Sequence, residues 1–412
     1  MRKIIAVLFV AIGFGLLSSG CALAPVSSPP PPLLLISMDG FRWDYCARHP
    51  DETPNLRRLI SDGSTARGLI PPFPSHTFVS HYSIATGLYP AHHGIINNVF
   101  FDPKLSEYFR YKTPAASHDP RWWRGEPIWI TAVKQGRRSA CYFWPGSEVT
   151  LNGLRATVSK PYDYSVPFEQ RANEVFAWLH LPERERPAII TFYFEETNRA
   201  GHAFGPDSAE VRAAIKLLDR EIGAMLDRAE AEKIRLNVVI VSDHGFVPTD
   251  GRTKTAMLDD FVDFDAVQVD FDGPVAGLRP LHGDVNELID RLKALPPQYK
   301  VYRASELPAR WHMQGNDRIP PVWIVSEPGW RIQRRSTFNA VKDYLLKGDH
   351  GYDPAVQDMQ GILIAHGPSF KSGIAVDAVE SIHVYNLLCA AAGLSPAPND
   401  GDDRLVRAML KR

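Results

Sequence analysis

Residues 33–40 have the sequence LLLISMDG, in which an unbroken apolar run at 33–36 is followed by serine, methionine, aspartate and glycine. Three further apolar runs follow it along the chain: AIITFYF at 188–194, VVIV at 238–241 and ILI at 362–364. Continuous apolar runs of this length are typical of β-strands that are covered on both faces. Together they predict one buried, largely parallel sheet.

Helical segments separate these runs. The clearest helix is predicted over 208–229, with Asp207 or Ser208 available as its N-cap. One face of this helix carries an apolar stripe, formed by Val211, Ile215, Leu218, Ile222 and Met225. The alternation of strands and helices predicts an α/β fold, a three-layer α/β/α sandwich around the sheet.

The alternation of long apolar runs and helical segments changes between residues 252 and about 335. Short strand-like runs occur there, AVQV at 266–269 and VWIV at 322–325, on either side of a helical segment at 285–295. Such short elements do not continue the pattern of long buried strands and helices. We therefore expect a small α+β insertion at about 252–335 within a domain that spans 33–412.

The composition is that of an ordinary globular protein. Of 412 residues, 44% are hydrophobic and 23% charged, which excludes a disordered, collagenous or coiled-coil chain. The 46 Lys and Arg balance 47 Asp and Glu, so no overall positive charge attracts nucleic acid. Four cysteines are too few for a disulfide framework. Cys46, Cys141 and Cys389 are expected to be buried thiols, with a Cys46–Cys141 bridge as the alternative.

The first residues predict export. Arg2 and Lys3 precede an apolar run at 4–17, which is shorter than the roughly 20 residues that a membrane-spanning helix needs. We expect a signal peptide over 1–24. LSSGC at 17–21 resembles a bacterial lipobox with Cys21 as the lipidated residue, whereas ALA at 22–24 fits cleavage after Ala24. Both cleavage patterns predict that the protein lies in the periplasm or cell envelope. Any contact with the membrane would be made only through a lipid anchor. Residues 25–32, which contain five prolines, are predicted to be a tether.

Side chains that can bind metal ions follow the predicted strands. Asp39 follows the first run, NRAGH at 198–202 follows the second, Asp243 and His244 follow the third, and His350 lies within GDHG at 348–351. Open parallel sheets bind ligands beyond the carboxyl ends of their strands. Mixed carboxylate and imidazole ligands suit Zn²⁺ or a similar divalent ion. The pattern provides enough ligands for two ions.

Several longer motifs resemble those of a known family. They are SMDGFR at 37–42, WWRGEPIW at 122–129, YFWPGS at 142–147, SVPF at 165–168, HGYD at 350–353 and PAPNDG at 396–401. With the ligand pattern above, they resemble the nucleotide pyrophosphatase/phosphodiesterases of the alkaline phosphatase superfamily over nearly the whole chain after residue 33. The resemblance implies an alkaline phosphatase-like fold and a hydrolase of nucleotide phosphodiester or pyrophosphate bonds.

The resemblance also implies two zinc ions and a role for each ligand. Asp39, Asp243 and His244 would hold one zinc ion together with Thr77, the implied nucleophile. Asn198, His202 and His350 would hold the other. Thr77 would attack phosphorus to form a phosphothreonine, and a metal ion would favour its alkoxide. The reaction would release a nucleoside monophosphate.

Substrate contacts are implied in the same way. Asn98 would contact the phosphoryl oxygens. Phe78 and Tyr162 would form a slot in which a nucleobase stacks, although both aromatics fit a packing role from sequence alone. Trp144 would belong either to this slot or to the core.

One departure from the family pattern concerns the second zinc ion. Asn198 stands where the family has an aspartate, and its neutral amide predicts weaker zinc binding there. Two alternative functions remain open: a lipid or choline phosphodiesterase of the same fold, and a surface binding protein with an impaired zinc site. The sequence makes no prediction of the oligomeric state.

Overall fold

The computed structural model describes residues 30–341 and 345–411. The predicted signal peptide, Cys21 and residues 25–29 of the predicted tether lie outside the described residues. Pro30 and Pro31 are partly buried, Pro32 is buried, and the Pro32 carbonyl accepts a hydrogen bond from the Asn237 amide at 3.0 Å. The last residues assigned to the tether are therefore packed against the domain.

The described residues contain nineteen strands. They are β1 Leu33–Met38, β2 Ser64–Ile70, β3 Val99–Asp102, β4 Glu107–Arg110, β5 Ser139–Tyr142, β6 Val158–Lys160, β7 Ile189–Phe194, β8 Asn237–Val241, β9 Val247–Pro248, β10 Thr255–Met257, β11 Val267–Phe271, β12 Val275–Pro280, β13 Tyr299–Arg303, β14 Val322–Ser326, β15 Arg331–Gln333, β16 Gly348–Asp349, β17 Gly361–His366, β18 Ile374–Val376 and β19 Val379–Glu380.

Thirteen α-helices lie in the same part of the chain. They are α1 Tyr45–Arg48, α2 Pro54–Asp62, α3 Thr77–Thr86, α4 Pro90–His93, α5 Pro114–Ser117, α6 Ile128–Lys134, α7 Phe168–Leu179, α8 Glu196–Phe204, α9 Ala209–Ala231, α10 Val285–Leu292, α11 Arg335–Ala340, α12 Val384–Ala391 and α13 Arg404–Met409. The long helix α9 is the one that the apolar stripe predicts, and the Ser208 hydroxyl caps it by accepting from the Val211 amide.

The central sheet has nine strands in the order β18-β2-β17-β8-β1-β7-β5-β6, with β19 paired to β2. The four apolar runs supply β1, β7, β8 and β17, which confirms the predicted α/β fold. The sheet is mixed, because β17 runs antiparallel to both of its neighbours while the other pairings are parallel. The sheet is thus largely parallel, as predicted, and the run at 362–364 forms its antiparallel member.

Helices cover both faces of the sheet. Alternate residues of β1, such as Leu33 and Leu35, join a core that includes residues of α3, α6 and α12. The intervening residues Leu34 and Ile36 join a second core with α2, α7 and α9. These two cores account for the unbroken apolar runs, because every position in such a strand is buried on one side or the other.

The segment at 252–335 forms a separate small sheet. Its four antiparallel strands, in the order β11-β12-β14-β13, pack with α10 around their own apolar core. The short strand β15 pairs with β10 in a two-stranded sheet, and its Ile332 joins the same apolar core. Its first residue, Arg331, is buried and contacts Asp349 beside the candidate site.

The three cysteines in the described part of the chain are free thiols. Cys46, Cys141 and Cys389 are all buried and unbridged, so the alternative of a Cys46–Cys141 disulfide was wrong. Cys46 lies in α1 and Cys141 in the central strand β5, and the two belong to opposite core layers. Burial raises the pKa of Cys46 and of Cys141 to about 12.

Candidate functional site

A first set of metal-type ligands lies at the carboxyl ends of β1 and β8. Asp39 directly follows β1, and Asp243 and His244 follow β8. The parallel register of these adjacent strands brings the three side chains together. The Nε2 atom of His244 lies 3.4 Å from Asp39 Oδ1 and 3.0 Å from Asp243 Oδ2. The three residues are at most 1% exposed.

Neighbouring groups orient these ligands. The Tyr193 hydroxyl donates to Asp39 Oδ2 at 2.6 Å, and the Gly40 amide donates to Asp243 Oδ1 at 3.1 Å. The Nδ1 atom of His244 donates to the Gly245 carbonyl at 3.0 Å, so that Nε2 is the ring nitrogen that faces the two carboxylates. Outer contacts of this kind are what hold metal ligands in a fixed orientation.

The first set fits a divalent cation on its own chemistry. Asp39 Oδ1 and Asp243 Oδ2 are buried and make no hydrogen bond. Burial, and then the charge of Asp243, raise the pKa of Asp39 well above its ordinary value. Two buried carboxylates that lie close together repel each other. A cation bound between them and the neighbouring imidazole nitrogen would offset this repulsion. The donor types suit zinc.

The second set consists of Asn198, His202 and His350. His202 Nδ1 donates to the Gly348 carbonyl at 3.1 Å and His350 Nδ1 donates to the Ser75 carbonyl at 2.9 Å, so both Nε2 atoms are free. Asn198 Oδ1 is buried without a hydrogen-bond partner. The two imidazole rings lie 5.0 Å apart between centroids. An orphaned amide oxygen beside two oriented imidazoles also fits a metal ion.

Both imidazoles of the second set are in the form that binds metals. Burial lowers the pKa of His202 to about 3 and the pKa of His350 well below its ordinary value, so both rings are neutral near pH 7. The ring of His350 stacks on that of His244 with centroids 3.5 Å apart. The two ligand sets therefore adjoin each other.

His350 reaches the site by a route that the sequence analysis did not foresee. It follows β16, which pairs only with the short strand β9 outside the central sheet. Because β17 is antiparallel, the chain enters it at the edge where the parallel strands end. The preceding loop, which carries His350, therefore lies at that edge. His350 does follow a strand, but this strand is the two-residue β16 outside the central sheet.

Asp349 is a charged neighbour that the sequence analysis missed. Its Oδ1 atom lies 3.9 Å from His202 Nδ1 and accepts from the His350 amide at 3.0 Å. Its other oxygen contacts the guanidinium of Arg331, from β15. The small inserted unit is thus connected to the second ligand set by a buried ion pair.

Thr77 is the first residue of α3 and adjoins the first ligand set. Its Oγ1 atom lies 3.3 Å from His244 Nε2. The Asn98 side-chain oxygen accepts from the Phe78 amide at 3.0 Å, so the two N–H groups of the Asn98 amide remain available as donors. A helix N-terminus together with amide donors favours an anion at this point.

His81 supports this arrangement from inside α3. It lies one turn after Thr77 and its Nδ1 donates to the Thr77 carbonyl at 2.8 Å. The same atom is 3.2 Å from Asp243 Oδ2, and Nε2 lies 2.8 Å from the Ser37 hydroxyl. No sequence motif singles out His81. His81 lies four residues after Thr77, and residues with this spacing share one face of a helix. This spacing is the sequence signal that could have identified His81.

A cavity of about 880 Å³ opens from the two sets. Phe78 and Tyr162 both line it, with Tyr162 51% exposed and packed edge-on against Phe143 at 5.4 Å. Trp144 reaches the wall but is only 2% exposed, and its Nε1 donates to the His81 carbonyl at 3.2 Å. Trp144 is therefore mainly a core residue.

Within the described residues, none of the helices has the length and apolar character needed to cross a membrane.

The central sheet and the two adjoining ligand sets define an alkaline phosphatase-like α/β protein. The family pattern described as Type I phosphodiesterase / nucleotide pyrophosphatase matches residues 33–353. The chain belongs to this family.

Relatives agree with this assignment. A venom phosphodiesterase of Crotalus durissus collilineatus is 38% identical over 407 residues, which are 96% of this chain and 48% of the relative. The human ectonucleotide pyrophosphatase/phosphodiesterase family member 1 is 37% identical over 400 residues, 94% of this chain and 42% of the relative. The chain thus spans about half the length of the curated relatives it matches.

Solved structures agree as well. Murine ectonucleotide pyrophosphatase / phosphodiesterase 5 superposes with a TM-score of 0.86 at 32% identity, over 92% of this chain and all of that one. An inactive form of the murine protein, with one threonine changed to alanine, has been solved in complex with AMP and superposes equally well.

Proposed function

We propose that the protein is a zinc-dependent phosphodiesterase that splits nucleotide phosphodiester or pyrophosphate bonds and releases a nucleoside monophosphate. The observation that carries the proposal is the position of Thr77, whose hydroxyl lies at a helix N-terminus 3.3 Å from the ligand nitrogen of His244. The names of the relatives, and the AMP complex of the murine neighbour, support the reaction class and the substrate.

The residues of the chain perform the covalent step. Thr77 Oγ loses its proton and forms a bond to phosphorus, while the bond from phosphorus to the leaving oxygen breaks and that oxygen keeps the electron pair and gains a proton. The resulting phosphothreonine is then attacked by the oxygen of a water molecule. The bond from phosphorus to Oγ breaks, and Thr77 recovers its proton. Asn98 and the N-terminus of α3 stabilise the negative phosphoryl oxygens during both steps.

Two zinc ions complete the proposed site. Asp39, Asp243, His244 and Thr77 would hold one ion, and Asn198, His202 and His350 would hold the other. When bound, zinc supplies Lewis-acid stabilisation of negatively charged oxygens and lowers the pKa of water. Asn198 brings no charge, so the second ion would be the weaker one.

Phe78 and Tyr162 form the proposed nucleobase slot. Both rings line the cavity that contains Thr77. Phe78 is fixed edge-on against Tyr111 at 5.3 Å, whereas Tyr162 presents half of its surface to solvent. Stacking on such rings contributes roughly 1–3 kcal/mol per base and tolerates different bases.

The proposal includes export from the cytoplasm. It rests on the signal-peptide pattern at 1–24 and, for a lipid anchor, on Cys21.

The decisive experiment compares Thr77→Ala with Thr77→Ser. We expect Thr77→Ala to lose hydrolysis of the nitrophenyl ester of thymidine monophosphate while it keeps its fold and most of its bound zinc, because it removes the attacking oxygen but none of the charged ligands. Thr77→Ser retains that oxygen and should keep measurable turnover with a phosphoserine intermediate. A Thr77→Ala protein with more than about a tenth of the wild-type rate would show that the covalent mechanism is wrong.

Metal analysis separates the enzyme from the impaired binding protein. The enzyme should contain close to two zinc ions per chain and turn over the ester, whereas an impaired relative should contain one or none. A phosphocholine ester hydrolysed faster than the nucleotide ester would favour the lipid or choline phosphodiesterase instead.

A further inference from the structure

A buried histidine, His81, connects the proposed nucleophile to the first ligand set. We propose that His81 is a positioning residue for the covalent step, which holds Thr77 in place against the metal ligand Asp243. This role rests on the proposed function. The ring of His81 acts through these two residues and contacts neither phosphorus nor a metal ion, because both of its nitrogen atoms contact groups of the chain itself.

The ring of His81 is fixed by its surroundings. It lies within α3 and is fully buried. Trp144 and Tyr193 pack edge-on against it, with ring centroids 5.0 and 5.3 Å away. Trp144 also donates from its Nε1 atom to the His81 carbonyl at 3.2 Å. Packing therefore determines the orientation of the ring together with the hydrogen bonds, so its nitrogen atoms point in defined directions.

The Nδ1 atom contacts the nucleophile and the metal ligand together. A carbonyl oxygen can only accept, so the 2.8 Å contact with the Thr77 carbonyl requires a proton on Nδ1 of His81. That hydrogen bond holds the first turn of α3, which carries the Thr77 hydroxyl. The same atom lies 3.2 Å from Asp243 Oδ2, which accepts no hydrogen bond. The N–H dipole thus stabilises the charge of Asp243 while this oxygen stays free to bind a metal ion.

The Nε2 atom connects the same ring to the central sheet. It lies 2.8 Å from the hydroxyl of Ser37, which is fully buried in β1 two residues before Asp39. Ser37 pairs in parallel register with Val241 of β8, two residues before Asp243. His81 therefore joins α3, β1 and β8 at the point where the nucleophile and the first ligand set meet.

These contacts matter most during the reaction itself. The Thr77 oxygen must face phosphorus in line with the leaving group, and a displacement of about 1 Å in a reacting atom can lower the rate about 100-fold. Substrate binding depends far less on this alignment. Loss of the His81 contacts should therefore lower kcat much more than it raises KM. Asp243 would also lose a neighbouring dipole, so zinc should bind more weakly to the first set.

The test uses side chains that retain one nitrogen position of the ring at a time. Asparagine has a nitrogen close to the position of Nδ1, glutamine has one close to the position of Nε2, and leucine has neither. His81→Asn should therefore keep the contact with Thr77, and His81→Gln should lose it. Zinc affinity is measured by competition with a chromophoric chelator. Values of kcat and KM are measured with the nitrophenyl ester of thymidine monophosphate at saturating zinc.

The three variants should differ in a definite order. We expect His81→Leu and His81→Gln to lower kcat about 100-fold, with KM within about two-fold of the wild type. Both should weaken zinc binding at the first set about ten-fold. His81→Asn should keep kcat within about ten-fold and zinc affinity within about three-fold of the wild type. Recovery by asparagine but not by glutamine would assign the effect to the Nδ1 contacts.

His93 provides a matched control. It is also fully buried, and its Nε2 atom lies 3.0 Å from the hydroxyl of Ser83, another residue of α3. His93 does not line the cavity of the site. His93→Gln should lower the unfolding temperature as His81→Gln does, because both remove a buried imidazole. It should nevertheless leave kcat and zinc affinity within about two-fold of the wild type.

Three results would overturn the role of His81. The first is His81→Leu with kcat and zinc affinity within about two-fold of the wild type. The second is equal recovery by asparagine and glutamine, and the third is an equal loss of kcat in His93→Gln. The comparison of asparagine with glutamine decides the matter even when the leucine variant does not fold.

The role of His81 and the proposed function can fail separately, because the zinc measurements require no substrate. A wild-type protein that turns over the ester, with His81→Leu unchanged, would refute only the role of His81. A wild-type protein that holds zinc and hydrolyses no nucleotide would refute the proposed function. In that case the zinc affinities of the three variants still test the contact with Asp243.

Discussion

Tyr193→Phe should weaken zinc binding at the first ligand set. The Tyr193 hydroxyl donates to Asp39 Oδ2 at 2.6 Å, and Asp39 Oδ1 is buried without a hydrogen bond. Phenylalanine keeps the ring that packs edge-on against His81 at 5.3 Å and removes only the donor. The change therefore tests how far one outer contact holds a metal-ligand carboxylate in position.

The expected loss of zinc affinity follows from the strength of the hydrogen bond between Tyr193 and Asp39. A hydrogen bond to a charged group contributes about 1.5–3 kcal/mol, and about 1.4 kcal/mol is a factor of ten in a binding constant. Complete loss would weaken zinc binding about 10- to 100-fold. Tyr193 is 8% exposed and lines the cavity, so a water molecule can replace part of the bond. We expect about a ten-fold loss.

The substitution Tyr193→Phe should also shift the pH dependence of zinc binding in a definite direction. The hydrogen bond from Tyr193 lowers the pKa of Asp39, against burial and the charge of Asp243, which raise it. Removal of the donor raises this pKa further. A protonated carboxyl group does not bind zinc, so zinc affinity and activity in Tyr193→Phe should decline at a higher pH than in the wild type as the solution is acidified.

The assay is competition for zinc with a chromophoric chelator over a series of pH values, together with kcat/KM for the nitrophenyl ester. Tyr82→Phe is the matched control, because Tyr82 is fully buried in α3 and its hydroxyl has no hydrogen-bond partner. Unchanged zinc affinity and pH profile in Tyr193→Phe would refute the reasoning. An equal loss in Tyr82→Phe would show a general disturbance of packing.

Three further predictions follow from the site and the sequence. Asn198→Asp should raise zinc affinity at the second set about ten-fold by adding a charge, measured by chelator competition; an unchanged affinity would show that the amide ligates adequately. Phe78→Ala and Tyr162→Ala should each raise KM for the thymidine ester about five-fold, with little effect on a base-free nitrophenyl diester. Equal losses on both substrates would indicate a packing role instead. Cys21→Ser should release the protein from membranes or leave an uncleaved precursor, seen by fractionation and mass analysis. Wild-type protein recovered in soluble form with Pro25 at its N-terminus would refute lipidation.

The sequence determined the fold class and the kinds of side chain that stand at the strand ends. An unbroken apolar run such as 33–36 is typical of a strand buried on both faces, so it predicts a central strand without knowledge of its partners. Asp39, Asp243 and His244 follow such runs within three residues. The register between two adjacent parallel strands then brings them together.

The tertiary structure alone decided the features that depend on strand direction and on contacts distant in sequence. An apolar run reads the same in either direction, so the sequence could not show that β17 is antiparallel or that His350 arrives through β16. Nor could it pair Arg331 with Asp349, or place His81 beside Asp243, because the residues of each pair come from different segments of the chain. Local patterns specify which residues are buried and which are polar. The packing of distant segments decides which polar residues meet, and therefore the chemistry of the site.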